Sequence, residues 1–378
     1  LSPTCRGLPA MRLPPLGRRP APPSHPAFRY RRPPALRRAR LGLLVLVILI
    51  GLAAAYGGMW LLIMNNLRDG AQAWIADRHA EGFSIETAGS STGGFPWVAR
   101  LVLDTPSLAP PQRPVPWAWT GERLVIEVRP LKPFEAVLRA EGRQEVAVRD
   151  GDAVRVFGGE AATLQATLRR GDGWLPPATI VVRDLQLAEG DEHLTVARLD
   201  LTGAGDPGAD DNEAALTYGV VLDADGVKLP ERLATPLGRD VSSVRLVADL
   251  LGTLERRPWP RVLAVWRDRG GTVEVRDLAV RHGPLRLDAV GTLALDAAGQ
   301  PVGAFTARLE GFAATVDALE DRGVMRRRDA LAAKVLLGTL LRRPDDGGPP
   351  TLSVPLTLQD RKLFAGPVFV YQLPPIRW

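Results

Sequence analysis

From Leu41 to Met64 the chain runs for twenty-four consecutive residues without a charge. At ~1.5 Å rise per residue, such a run makes a helix of ~36 Å, longer than the ~30 Å hydrocarbon core of a bilayer. A soluble core helix rarely lacks every charge over that length, so the run predicts a transmembrane helix. The forty residues before it hold ten arginines and no acid. That asymmetry predicts an N-terminus on the cytoplasmic side of a bacterial inner membrane and a periplasmic C-terminal part. Ala53-Ala54-Ala55 offers small residues for signal cleavage, but nine more uncharged residues follow. A cleaved signal has a shorter apolar region, so an uncleaved, single-pass helix is expected. Trp60, near its distal end, suits the interfacial aromatic belt.

The same division changes the meaning of the charge. The formal +6 includes +10 from residues 1–40; the remainder has 38 basic and 42 acidic residues, a net of −4. A nucleic-acid-binding domain is excluded on that balance. The single cysteine, Cys5, allows no disulfide framework. Ten prolines in residues 1–40 predict a disordered basic tail.

Beyond the transmembrane segment (41–64), Leu67, Ala71, Trp74, Ile75 and Arg78 follow helical spacing and predict a juxtamembrane helix over 65–82, ending at Gly82. The period then becomes two. In Leu124-Val125-Ile126-Glu127-Val128 the even positions are apolar. From Leu285 to Leu295 the odd ones are, and Phe305, Ala307 and Leu309 alternate with Thr306, Arg308 and Glu310. Such strands have one wet face. Asp150-Gly151, Asp172-Gly173 and Asp225-Gly226 read as hairpin turns. Parity changes after Val196 and after Val275, which predicts bulges. Helices are expected near 259–269, 312–321 and 328–342, the last with Leu331, Val335, Leu336 and Leu340 on one side. The fold class is mainly β with a few helices (α+β): a single N-terminal transmembrane helix followed by a long, curved antiparallel sheet. A soft boundary near 230–240 divides the β-rich part into halves, 83–235 and 236–378.

No motif carries a reaction. Gly203-Ala-Gly205-Asp-Pro-Gly208 is a literal GxGxxG, but Pro207 stands where a helix should open and Asp206, Asp210 and Asp211 would repel a pyrophosphate. His25, His79, His193 and His282 lack zinc-site spacing, and no GxSxG elbow is present. Asp223, Asp225 and Gly226 resemble the start of a calcium loop, but Ala234 occupies the position of the closing carboxylate, so a hairpin turn is the better reading. Arg326-Arg327-Arg328 and Arg342-Arg343 flank the last helix and read as solvated helix ends. Trp117 and Trp119 read as core, with a pocket lining as the alternative. No catalytic residue, cofactor or metal ligand is assigned.

Several segments in order resemble the bacterial domain-of-unknown-function family 2125. They are Trp74 with Gly82-Phe83; Gly94-Phe95-Pro96-Trp97; Trp266-Arg267-Asp268-Arg269-Gly270-Gly271; His282-Gly283-Pro284-Leu285; Gly291 through Asp296; Gln300-Pro301-Val302-Gly303; Val316-Asp317-Ala318-Leu319; Pro355 through Asp360; Gly366-Pro367; and Leu373-Pro374-Pro375. The resemblance spans nearly all of 42–378 and implies a location and an architecture rather than a reaction. Its motif residues read as structural. Arg361-Lys362 departs from the family's glycine turn. The layout is also similar to envelope proteins of the AsmA type, an analogy of fold that implies lipid movement.

The expected function is non-enzymatic: a periplasmic protein holding or passing an apolar ligand such as lipid along its sheet. The alternative is a scaffold for envelope proteins. An envelope hydrolase is the third reading and lacks a clustered nucleophile and base.

Overall fold

The computed structural model describes residues 34–111, 116–150, 153–171, 175–205, 216–255, 261–338, 341–342 and 350–376. Residues 1–33 of the predicted disordered tail, the loop of Asp206–Gly208 and the Asp172-Gly173 turn lie outside them; residues 34–40, also expected in that tail, are instead the first turns of a helix. The chain divides into two units, Leu1–Ala55 and Tyr56–Trp378. One helix, α1 (Pro34–Ala80), belongs to both and has no break between 64 and 65. In the first unit its side chains from Arg40 to Ala55 are all exposed. The helix is long and apolar enough to cross a membrane.

In the second unit α1 turns amphipathic. Trp60, Ile63, Met64, Leu67 and Ala71 recur at helical spacing and pack on Ala99, Leu101, Leu103, Leu124 and Ile126. Trp74, expected on that face, is 53% exposed. The helix ends at Ala80, where Gly82 (φ +90°) donates to His79 O and Phe83 to Arg78 O.

Among the described residues, nineteen strands join in one antiparallel sheet. Its first part comprises β1 (Ser84–Glu86), β2 (Gly89–Gly93), β3 (Ala99–Asp104), β4 (Ser107–Ala109), β5 (Trp117–Arg129), β6 (Lys132–Asp150), β7 (Ala153–Glu160) and β8 (Thr163–Arg169). A meander follows: β9 (Ala178–Glu189), β10 (Glu192–Ala204), β11 (Leu216–Lys228), β12 (Asp240–Leu251), β13 (Thr272–His282), β14 (Leu285–Leu295) and β15 (Pro301–Glu310). The last strands are β16 (Leu341–Arg342), β17 (Thr351–Gln359), β18 (Lys362–Ala365) and β19 (Val368–Gln372). β2 pairs with β3 and β3 with β5; β5 pairs with β6, which splits its length between β7 and β8, and both of these reach β9. From β9 each strand pairs with the next as far as β15, which then pairs with β17. β11 and β12 pair along their length, so the sheet passes through 230–240 without a break.

Three helices lie among the later strands: α2 (Arg261–Asp268), α3 (Phe312–Asp321) and α4 (Arg327–Gly338). α4 ends before the expected 342, because Leu341 and Arg342 form β16. Its orientation also differs from expectation. Leu331 and Val335 are exposed, whereas Ala330 and Ala333 are buried against Val316 and Met325. Small residues allow the close approach there, so the larger side chains point away.

Other turn readings need correction. Asp225-Gly226 is no hairpin: Asp225 pairs with Arg198 and Ser243 in mid-strand. Gly226 (φ +61°) lies level with Ala197 and, across β10, with Asp184 (φ +50°). The register stays constant through this row, so the parity change after Val196 comes from matched irregularities in adjacent strands rather than from one extra residue. The change after Val275 is a true bulge, with register shifts at Arg276-Asp277. Asp150 pairs with Ala153, and Gly151 of the expected turn lies outside the described residues. The departure at Arg361 does not abolish its hairpin. Asp360 (φ +52°) and Arg361 (φ +59°) are the two central residues of a tight turn between the paired Gln359 and Lys362.

Candidate functional site

Cross-strand register turns separate alternations into one surface. Leu101, Ile126, Leu138, Ala166, Ile180, Leu201, Leu222, Leu246, Leu278, Ala289, Ala307 and Val354 are successive partners from β3 to β17. A second row runs Val128, Ala136, Leu168, Ala178, Gly203, Val220, Ala248, Val275, Gly291, Phe305 and Leu356. A third runs Leu164, Val182, Leu199, Ala224, Val244, Val280, Leu287, Leu309 and Leu352. Since side chains alternate between faces, all three rows lie on one side of the sheet.

Among the described residues, helices and late strands pack on the rows at both ends, and Val182, Ala224, Ala248, Val275 and Ala289 between them are also buried. Met64 and its neighbours on α1 cover β3 and β5, and Phe312 with Val368 and Val370 packs on Leu309, Leu352 and Val354. Among the described residues, no cluster of buried side chains includes a residue of β8–β14. In that middle stretch Ala166, Ile180, Leu201, Leu222, Leu246 and Leu278 are only half-buried. Helix α2 sits at the strand ends, where Trp266 Nε1 donates to Leu251 O at 2.8 Å.

A cavity of about 570 Å³ opens where α1 meets β5, β6 and β8. Ile63, Leu67, Val128, Pro133, Phe134, Ala136 and Leu168 line it, with Asn66, Arg169 and Arg170 at polar positions. The Arg170 guanidinium lies 5.6 Å from the Phe134 ring centre. The size falls in the ~300–1,000 Å³ range of small-molecule sites.

The opposite face is polar and ion-paired. Asp223 and Asp277 bracket Arg245 at 2.8 and 3.2 Å, and Asp200 binds Arg183 and Arg198 at 2.6 Å each. Hydrogen bonds from Arg183 and Arg198 hold the Asp200 carboxyl below the usual range. A polar cavity of about 350 Å³ lies over β3, β5 and β6, lined by Arg100, Arg123, Arg139, Asp104, Glu127 and Glu141 among others. Burial alone would raise the Glu127 pKa; hydrogen bonds from Arg139 and then Arg100 outweigh it and lower the pKa. The three arginines and three carboxylates balance, and Glu127 itself binds both Arg100 and Arg139.

The histidines do not converge. His79 is exposed and meets Ile85, His193 is exposed on β10, and buried His282 meets Thr235 Oγ1 at 3.0 Å and Gly238 O at 3.2 Å. His25 lies outside the described residues. Among the described residues, no three metal-ligating side chains cluster. Trp117 is exposed and Trp119 half-buried, its Nε1 donating to Gln144 Oε1 at 3.1 Å; neither lines the apolar cavity.

The motif residues sit at turns and close contacts along the whole sheet. Gly94, Phe95, Pro96 and Trp97 form the β2–β3 turn, with Gly94 at φ +93°. Gly270 (φ +77°) and Gly271 follow α2, and a side chain at Gly271 would collide with the Trp266 indole. Gly283 (φ +53°) and Pro284 turn β13 into β14. Gly291 and Gly303 lie in neighbouring strands, where a Cβ would meet backbone. Asp296 Oδ1 accepts from the Ala298 and Gln300 amides at 2.8 Å, closing the turn before Pro301. Asp317 pairs with Lys334 between α3 and α4. Pro355 O accepts from the Gly366 amide at 2.8 Å, Asp360 is in the β17–β18 turn, Pro367 precedes β19, and Pro374 and Pro375 follow it.

No curated protein and no solved structure matches the chain. The profile of the family described as "Uncharacterized protein conserved in bacteria (DUF2125)" matches residues 60–374, which takes in the packed end of α1 and every strand described above. The chain belongs to that family.

Proposed function

We propose that the protein is a membrane-anchored, non-enzymatic lipid-binding protein of the bacterial envelope, holding acyl chains along the apolar face of its sheet. The observation that carries this reading is the set of three apolar rows, in which Ala166, Ile180, Leu201, Leu222, Leu246 and Leu278 stay half-buried between covered ends. A face of that kind gains roughly 25 cal/mol for each Å² of apolar surface an acyl chain covers. The cavity beside Ile63 and Leu67 adds a chain-sized recess on the helix that would supply the membrane tether. The arginine-rich tail favours the cytoplasmic side of the inner membrane for the N-terminus and the periplasm for the sheet. Protein purified from bacterial membranes in lipid-free detergent, then extracted with organic solvent and analysed by mass spectrometry, tests the idea. Stoichiometric phospholipid or fatty acid is expected. Extracts no richer in lipid than those of an unrelated single-pass protein would refute it.

A second reading is a scaffold for envelope proteins. It rests on β2 and β19, which among the described residues pair on one side only and so leave open strand edges. Cross-linking in cells separates the two: one dominant protein partner with no co-purified lipid favours the scaffold.

A further inference from the structure

The distal end of the charge-free run is tied to the β2–β3 turn. Tyr56 Oη donates to Pro96 O, and Trp60 Nε1 donates to Val98 O at 2.8 Å. The Phe95 ring meets the Trp60 indole edge to face, with centres 5.4 Å apart. The turn is fixed from within as well. Val98 N donates to Gly94 O at 3.0 Å, and a Cβ on Gly94 would lie 2.6 Å from Val98 O. Its tip is nonetheless bare, with Phe95 60% and Trp97 81% exposed. From Gly93 to Val98 it carries no charge.

We infer that the Gly94–Trp97 turn is a second membrane contact, seated at headgroup depth beside Tyr56 and Trp60. The inference rests on the reading that α1 spans a bilayer. Met64, where the apolar run stops, is already buried against β3, so the helix leaves the hydrocarbon before it, at the level of Tyr56 and Trp60. A turn bound to both is held beside that level of the helix. The first charged residue beyond the run is Arg68. Tyrosine and tryptophan favour the zone between hydrocarbon and water because each ring is apolar with one polar tip. Two aromatic side chains of the helix and two of the turn lie in this region, Trp60 and Phe95 in contact, and the exposed pair has no polar side chain beside it within the turn. The occupant is therefore the bilayer itself. Helix and turn together make a two-point attachment.

The test uses the full chain, with Cys5→Ser, in vesicles of phosphatidylethanolamine and phosphatidylglycerol. Single cysteines at Trp97→Cys, Ile50→Cys and Ala298→Cys carry an environment-sensitive fluorophore, and the lipids carry nitroxides either near the headgroup or near the chain end. The label at 97 is expected to emit to the blue of the label at 298 and to lose at least half its intensity to the shallow nitroxide. The label at 50 should respond more strongly to the deep nitroxide. Quenching at 50 with a fully hydrated label at 97 overturns the inference and leaves the transmembrane reading intact. A hydrated label at 50 overturns both.

Discussion

Arg100 and Glu127 face each other across β3 and β5, with Arg100 Nη2 2.6 Å from Glu127 Oε1, while Arg139 Nη1 reaches the other oxygen at 2.6 Å from β6. One nearly buried carboxylate thus joins three strands at the start of the sheet. Removing its charge leaves two guanidiniums without their partner. Both arginines are about a third or more exposed, so water screens much of the loss. Glu127→Gln is expected to cost about 1–3 kcal/mol, less than a fully buried pair would. Denaturant unfolding of the two proteins measures it.

The same carboxylate sets a pH dependence. Its pKa is lower folded than unfolded, so its contribution is complete above the ordinary glutamate range. That contribution is lost as pH falls through the lowered value. Asp200 acts in the same direction. Stability should therefore fall below about pH 4, and Glu127→Gln should flatten that fall. An equally steep acid limb in the variant would show that Glu127 is not one of the groups responsible.

The Asp360–Arg361 turn places two side-chain-bearing residues at positive φ. Glycine takes up that conformation without steric cost. Arg361→Gly is expected to stabilise the protein by about 0.5–1 kcal/mol, despite the greater freedom it gives the unfolded chain. Thermal unfolding checks the sign.

Trp266 anchors α2 through one hydrogen bond to Leu251 O and through contact with Gly271. Trp266→Phe keeps most of the apolar volume and leaves the half-buried Leu251 carbonyl without its indole donor, at about 1 kcal/mol. Gly271→Ala, which drives a methyl into the indole, should cost at least as much. Both are read from denaturant midpoints.

Lipid binding should depend on one face only. Leu222→Glu puts a charge in the middle of the half-exposed rows, while Asp223→Ala, the next residue, alters only the polar face. The first should lower co-purified lipid about tenfold or more, because an acyl chain cannot solvate a carboxylate. The second should leave it unchanged. Equal lipid in both variants would remove the apolar face from consideration.

Much of this was legible from the alternation of residue types. The odd residues of β14 and the even residues of Leu124–Val128 fall on the apolar rows as expected, and α2 and α3 lie within their predicted spans. Three features were not. In α4 side-chain size pointed the wrong way, because contact with α3 selects the alanines. Asp-Gly is a hairpin signal, yet the same tolerance of positive φ serves a mid-strand irregularity when Asp184 lies level with it two strands away. The Arg100–Glu127–Arg139 cluster depends on three strands being in register, which no local pattern encodes. The apolar rows share that origin: each strand shows its own alternation, but only register joins them.

From β9 to β15 every strand pairs with the one made just before it. Each new strand therefore finds its template already in place, next to it in the chain. Such a sheet can assemble in the order of translation, lengthening one strand at a time from the end packed on α1. The growing edge from β9 to β15 is then the youngest strand; α2 intervenes between β12 and β13, and α3 and α4 stand between β15 and β17, which caps β15.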